Sequence, residues 1–111
     1  MKNYIGEFEE VVLLTVAILH GNAYGVNIKD DIENRLGREV SIGALQVTLR
    51  RLEQKGLLES TLGEGDAIRG GRPKRYFTIT AYGKKALHVT RDMRNTLWNA
   101  VPDFVLDLSR S

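Results

Sequence analysis

The chain has 111 residues, 42% of them hydrophobic, which suits one domain with a modest core. It contains no cysteine, so disulfides, thiol catalysis and cysteine-bound metals are excluded, and we expect a cytoplasmic protein. The net charge of +2 is too small to indicate nucleic acid by itself, so that interpretation depends on where charges cluster. No apolar run reaches the ~18 residues of a membrane span, and the first residues lack a secretory-signal pattern.

Two helices are predicted first in the chain. Residues Ile5 to Leu19 are mostly apolar, with glutamates near the start, where a helix dipole favours acids. Gly21 suits the end of this helix. The second helix is predicted over Tyr24 to Leu36 and ends at Gly37. Its apolar residues recur every fourth position and predict a narrow core stripe of Tyr24, Ile28, Ile32 and Leu36.

The third predicted helix has a marked start and end. Ser41 suits the N-cap because its hydroxyl can accept a bond from a free amide of the first turn. Gly56 suits the position after the helix, where a left-handed backbone favours glycine. One helical face is apolar and is predicted to enter the core: Ile42, Leu45, Leu49 and Leu52. The short connection from Gly37 to Ser41 predicts a helix-turn-helix pair.

The opposite face of this helix is basic and amide-bearing. It carries Ala44, Val47, Arg50, Arg51 and Gln54, with Gln46 and Thr48 on its flanks. An α-helix fits the DNA major groove, where arginine and glutamine reach base edges through paired hydrogen bonds. The alternative is a face that is merely solvated.

A hairpin is predicted after Gly56, where the apolar period changes from 3.6 to 2. Leu58, Ser60 and Leu62 alternate with polar residues and predict a strand. Residues 63–73 are rich in turn formers, and Lys74 to Thr80 predicts a second strand. A hairpin directly after a helix-turn-helix is the wing of a winged helix.

The hairpin loop is predicted to contact phosphate. Arg69, Arg72, Lys74 and Arg75 lie within seven residues, and cations on a glycine-rich loop suit that contact. The alternative is a solvated, mobile loop. The glycine pairs in the loop lack the spacing and strand-to-helix context of nucleotide-binding motifs.

The last helix is predicted from Thr80 to about Val101, ended by Pro102. Its apolar stripe steps by four and three: Tyr82, Ala86, Val89, Met93, Thr96 and Ala100. Leu87, Leu97, Trp98 and Val101 widen this surface beyond what one small core can cover, so a second copy of the chain is predicted to pack against it. The apolar tail docks on the domain or on the partner, or is disordered.

The predicted fold is α+β and mostly α, a winged helix-turn-helix with a long C-terminal dimerisation helix. Residues 1–80 form the predicted DNA-binding domain, and residues 81–111 the dimerisation helix and tail.

Three stretches carry a resemblance to a known family: GEFEEVVLLTVAILHGNAYGVNI, SIGALQVTLRRLEQKGLL and GGRPKRYFTITAYGKKAL. With them the chain resembles PadR-family transcriptional regulators of the short subclass, over most of residues 6–88. The family usually has an aromatic residue at the position of Gln46 and proline at that of Ala81. The resemblance implies a winged-helix homodimer that represses transcription and that an effector releases from DNA.

Each candidate residue has an expected role. Arg50 and Arg51 are predicted base or phosphate contacts, beside the small residue Ala44. Gln46 suits adenine and Val47 a thymine methyl. Expected phosphate contacts are Ser41, Thr48, Arg69, Arg72 and Lys74. The dimer face, or a site for a planar aromatic ligand, would use Ala86, Val89, Met93, Leu97, Trp98 and Val101. The alternative for Trp98 is that it only fills the dimer core.

A DNA-binding repressor with an operator partner is thus the predicted function. One alternative is a winged helix that serves as a protein-interaction module, with an incidental basic wing. An enzyme is the poorest interpretation, because His20 and His88 suggest structural or solvated positions and the acidic residues are expected on solvated faces. No metal, cofactor or membrane partner is expected.

Overall fold

The computed structural model describes residues 5–63 and 73–109. Over these residues the chain forms α1 (Glu7–Ile18), α2 (Gly25–Leu36), α3 (Ile42–Gln54), β1 (Leu58–Leu62), β2 (Arg75–Ile79) and α4 (Ala81–Ala100). A short 3-10 turn, Asp103–Val105, follows α4. Each predicted helix and strand is confirmed, with its ends within about two residues of the predicted ones.

The two strands form the antiparallel wing, with Leu58 opposite Ile79 and Leu62 opposite Arg75. The wing is also joined to the residues just before α2. A β-bridge pairs Tyr24 with Tyr76, and the Phe77 amide donates to the Ala23 carbonyl at 2.8 Å. This extra pairing fixes the wing beside the start of α2, next to α3.

The core lies between α1, α2, α3 and the base of the wing. Its largest fully buried side chains are Leu13, Ile28, Ile32, Leu45, Leu52, Leu58, Val12 and Val16. Two predicted core residues are exposed instead, Leu36 by 54% and Ile42 by 43%. They are the last residue of α2 and the first of α3, so they lie where the helices leave the core.

The predicted ends of α3 are confirmed. The Ser41 hydroxyl oxygen accepts from the Ala44 amide at 3.3 Å, and Gly56 has a φ of 78°. Because a left-handed residue is favourable only without a Cβ, Gly56 lets the chain leave α3 and enter β1 directly.

The start of α4 is bonded to the backbone that follows α3. The Thr80 hydroxyl donates to the Gly56 carbonyl at 2.7 Å and accepts from the Gly83 amide at 2.9 Å. The Thr80 amide donates to the Leu57 carbonyl at 3.1 Å. A Cβ on Gly83 would collide with that Leu57 carbonyl oxygen, so glycine permits this close packing.

Only the first half of α4 contains buried residues. Its buried residues are Gly83, Ala86 and Thr90, whereas every residue from 91 to 100 is exposed. The Arg94 guanidinium and the Glu10 carboxylate form an ion pair at 2.7 Å that holds the middle of α4 to α1. None of the helices in the described part of the chain has the length and apolar character needed to cross a membrane.

Candidate nucleic-acid interface

The outer side of α3 is exposed to solvent. Its exposed residues include Ala44, Gln46, Val47, Arg50, Arg51 and Gln54. The core side holds Leu45, Leu49 and Leu52, so the exposed residues of the helix face outward. This is the orientation that a helix needs to enter a groove of DNA.

Thr48 does not lie at the edge of the outer side, where the sequence pattern predicts it. The residue is 6% exposed. It lies three residues after Leu45 and four before Leu52, so all three project from the same side of α3. Thr48 therefore lies on the core side of α3, a position that does not favour the predicted phosphate contact.

Ser41 is exposed at the start of α3, and its hydroxyl oxygen caps the helix. A hydroxyl that accepts one bond still carries its own hydrogen for donation. Capping and the predicted phosphate contact are thus compatible in this side chain.

The two neighbouring arginines of α3 have different surroundings. Arg50 lines a cleft together with Gln46 and the wing residues Lys74 and Arg75. Arg51, about 100° further around the helix, lies close enough to the α1 residue Glu9 for its charge to act on that carboxylate. Arg50 is therefore the better placed of the two for a contact shared with the wing.

Glu9 contacts the end of α3, which the sequence pattern did not predict. It is only 7% exposed, so the prediction that acidic residues lie on solvated faces is wrong here. Burial raises the pKa of Glu9, but bonds from Lys55 and the Gly6 amide, with the charges of Lys55 and Arg51, outweigh it and lower the pKa. The sequence does carry one sign of this contact. Glu9 is the third residue of α1, a position from which a carboxylate can reach back to the N-cap amide.

The base of the wing is fixed to α3 by a chain of polar contacts. The Arg75 guanidinium donates to the Ser60 hydroxyl oxygen at 2.9 Å, and that hydroxyl donates to the Glu53 carboxylate at 2.7 Å. Lys74 is exposed, and its ammonium lies 4.3 Å from the centre of the Tyr24 ring. Arg69 and Arg72, the other predicted wing contacts, lie outside the described residues.

The predicted dimer or ligand residues divide into two groups. Ala86 is fully buried in the core of its own chain and is removed from the predicted face. Val89 and Val101 are half-buried. The remaining three are exposed on the second half of α4: Met93, Leu97 and Trp98.

No group of three or more histidine, cysteine, aspartate or glutamate residues in the described part of the chain could hold a metal ion. His20 is exposed, and the His88 ring contacts the Arg91 guanidinium at 3.0 Å.

Solved structures share this fold. A PadR-like transcription factor from Bacteroides fragilis is 25% identical, with a TM-score of 0.71, over 83% of this chain and 84% of that one. A PadR family regulator from Eggerthella lenta is 24% identical, with a TM-score of 0.69, over 91% and 88%. Bacillus subtilis PadR, solved with operator DNA, is 19% identical, with a TM-score of 0.61, over 74% of this chain and 45% of that one.

Sequence comparison gives the family directly. No curated protein matches the chain. The model of the transcriptional regulator PadR-like family matches residues 13–89, which is more than half of the chain and includes both the outer side of α3 and the wing. The chain therefore belongs to the PadR-like family of transcriptional regulators.

Proposed function

We propose that the protein is a sequence-specific DNA-binding regulator that acts as a dimeric repressor and is released from its operator by a small molecule. The observation that carries the proposal is the position of Arg50 and Gln46 on the exposed side of α3, in the same cleft as Lys74 and Arg75 of the wing. Groups suited to base edges and groups suited to phosphates thus share one surface.

DNA contact follows from the chemistry of this surface. Arg50 and Gln46 carry paired donors or a donor and an acceptor, which suit guanine and adenine in the major groove. Lys74 extends from the wing as a cation suited to phosphate. The Bacillus subtilis neighbour was solved with operator DNA, which supports the same use of this fold by analogy.

The exposed second half of α4 supports dimerisation. Leu97 is 70% exposed and Trp98 66%, and Met93 is also exposed. Exposed apolar side chains grouped on one helix favour a protein interface, and a second copy supplies the simplest partner. A two-fold dimer would present two copies of α3 at a fixed separation, which DNA reads as the spacing of half-sites.

Trp98 is the candidate effector contact. In a dimer through α4, two copies of Trp98 with Met93 and Leu97 would offer flat apolar surface to a planar aromatic ligand. Ring stacking adds about 0.5–1.5 kcal/mol beyond the burial of area. A ligand held between the helices would alter the separation of the two α3 helices and lower operator affinity. The alternative role for Trp98 is to fill the dimer core.

The decisive experiment is selection of bound sites from random DNA with the purified protein. We expect an enriched site with two related halves. Fluorescence anisotropy should then give tighter binding to this site than to a scrambled duplex of equal length. Equal affinity for both duplexes would contradict sequence-specific recognition.

Titration with planar aromatic compounds, followed by the emission of the single tryptophan, tests the effector. Compounds that quench Trp98 should also weaken operator binding. Unchanged emission across a broad panel, at the wavelength of a fully buried indole, would favour the core role of Trp98.

A further inference from the structure

A cleft of about 560 Å³ opens between the start of α2, the exposed side of α3 and strand β2. Its volume lies within the range of roughly 300–1,000 Å³ that small-molecule sites occupy. Its lining residues come from neither α1 nor α4. The cleft is therefore a different surface from the proposed dimer face.

The walls of the cleft are mainly apolar. Leu49 and Phe77 are buried lining residues, whereas Val26 and Ile42 leave 59% and 43% of their surfaces exposed. An occupant with an apolar body would remove these two side chains from water, and that burial is favourable.

The polar lining carries more positive than negative charge. Three cations, Arg50, Lys74 and Arg75, accompany one carboxylate, Glu53. The Glu53 carboxylate already accepts a hydrogen bond from the Ser60 hydroxyl, and the Ser60 oxygen accepts one from the Arg75 guanidinium. Within the described part of the chain, neither Arg50 nor Lys74 forms an ion pair with an acid. The Lys74 ammonium lies 4.3 Å from the centre of the Tyr24 ring, which does not neutralise its charge. Both charges can therefore attract an anion beside the apolar walls.

We propose that this cleft binds a small amphipathic organic anion, a carboxylate or sulfonate on a compact apolar body, and that the anion competes directly with DNA. The inference rests on the proposed function, because Arg50 and Lys74 are the groups assigned to DNA. Such a ligand acts on a single chain by occupying Arg50. It needs no change in the separation of the two α3 helices.

Naphthalenesulfonate is a suitable probe, and naphthalenesulfonamide is its neutral analogue of nearly the same shape. Each is titrated into the isotope-labelled full-length protein while backbone amide shifts are followed by NMR. The sulfonate should shift amides around the cleft, such as those of Val26, Gln46 and Phe77. The neutral analogue should bind about tenfold more weakly, because it lacks the charge that Arg50 attracts.

Val26→Glu places a carboxylate at the mouth of the cleft. It should weaken the binding of naphthalenesulfonate about tenfold by like-charge repulsion. Leu36→Glu is the matched control, since Leu36 is exposed on the same helix but does not line the cleft. The affinity of Leu36→Glu for naphthalenesulfonate should stay within about twofold of that of the unmodified protein. If Val26→Glu disturbs the fold, the comparison of sulfonate with sulfonamide on the unmodified chain still tests whether the cleft prefers an anion.

Addition of a duplex that carries the selected site separates the inference from the proposed function. If the duplex reverses the amide shifts that the sulfonate causes around the cleft, direct competition is supported. Shifts confined to α4 while the duplex still binds overturn the inference and leave the proposed function intact. The sulfonate could also shift amides around the cleft in a protein that binds no duplex at any salt concentration. That result would overturn the proposed function and the competition with DNA, and would support only the anion site.

Discussion

The ammonium of Lys55, one residue past the end of α3, donates to both carboxylate oxygens of Glu9, at 2.9 and 3.1 Å. The same carboxylate accepts the amide of Gly6 at 2.9 Å, at the start of α1. One buried side chain therefore caps the first helix and holds the end of the helix assigned to DNA. The next residue, Glu10, pairs with Arg94 of α4. Two consecutive glutamates thus connect α1 to both α3 and α4.

Glu9→Gln should destabilise the protein by about 1–3 kcal/mol, because a neutral amide loses the charge-assisted bonds to Lys55 and leaves polar atoms imperfectly paired. Urea unfolding at a fixed protein concentration measures the change. Glu59→Gln is the control, because Glu59 is exposed on β1, and it should stay within about 0.5 kcal/mol. Equal effects of the two variants would contradict the role of Glu9.

Stability should fall at acid pH partly through Glu9. Its pKa in the folded protein is lowered below the ordinary value of 4.5. Folding therefore gains stability from this group above the unfolded pKa, and the gain is lost as pH falls from that value through the lowered one. Unfolding free energy measured against pH should show a shallower acid loss in Glu9→Gln. A parallel loss in both proteins would exclude Glu9 as a contributor.

Arg50→Ala and Lys74→Ala should weaken DNA binding in different ways. Lys74→Ala should lower affinity for all sequences and reduce the slope of log affinity against log salt by about 0.9. Arg50→Ala should relax the choice of one base pair at a cost of about 1–3 kcal/mol. Anisotropy titrations on the selected and single-mismatch duplexes, over a range of salt, measure both effects.

Lys84→Ala, at an exposed position on α4, serves as the control for lost positive charge. A change of base preference in Lys74→Ala, with none in Arg50→Ala, would reverse the two assignments. Arg51→Ala should have a smaller effect on base choice than Arg50→Ala, because Arg51 lies near Glu9.

Leu97→Asp should shift the protein from dimer to monomer, because it places a charge in the middle of the proposed apolar contact. Leu97 is 70% exposed in the single chain, so the fold itself should survive, as circular dichroism can check. Light scattering at micromolar concentration gives the mass. Leu36→Asp, an exposed position on α2, should remain dimeric. A monomeric mass for the unmodified protein would refute dimerisation through α4.

Gly83→Ala should destabilise the protein by about 1–3 kcal/mol, because the added methyl meets the backbone carbonyl of Leu57. Thermal unfolding provides the measurement. Gly25→Ala is the matched control, since a Cβ there meets nothing within 4 Å. It should leave stability unchanged or slightly raised, as alanine is the better helix former. Similar losses for both variants would point to a general cost of removing glycine.

The winged-helix fold was predictable because its signals are local. Helix period, the Ser41 cap and the Gly56 terminus are all properties of short segments. The errors concern contacts that depend on packing between segments. Thr48 has a polar side chain, but the packing of α3 against the rest of the chain leaves it only 6% exposed. The Glu9 to Lys55 pair joins residues 46 positions apart, which no local period reveals.

The bonds of Thr80 to Gly56 and Leu57 have a mechanical consequence. They join the start of α4 to the backbone at the end of α3, with Gly83 allowing the close approach. The 20 residues of α4 make a rod about 30 Å long. A tilt of about 5° at its base would move its far end by roughly 2.6 Å over this length. Any change in the tilt of α4 about Thr80 would therefore be small beside Gly56 and Leu57 and largest at the far end of α4.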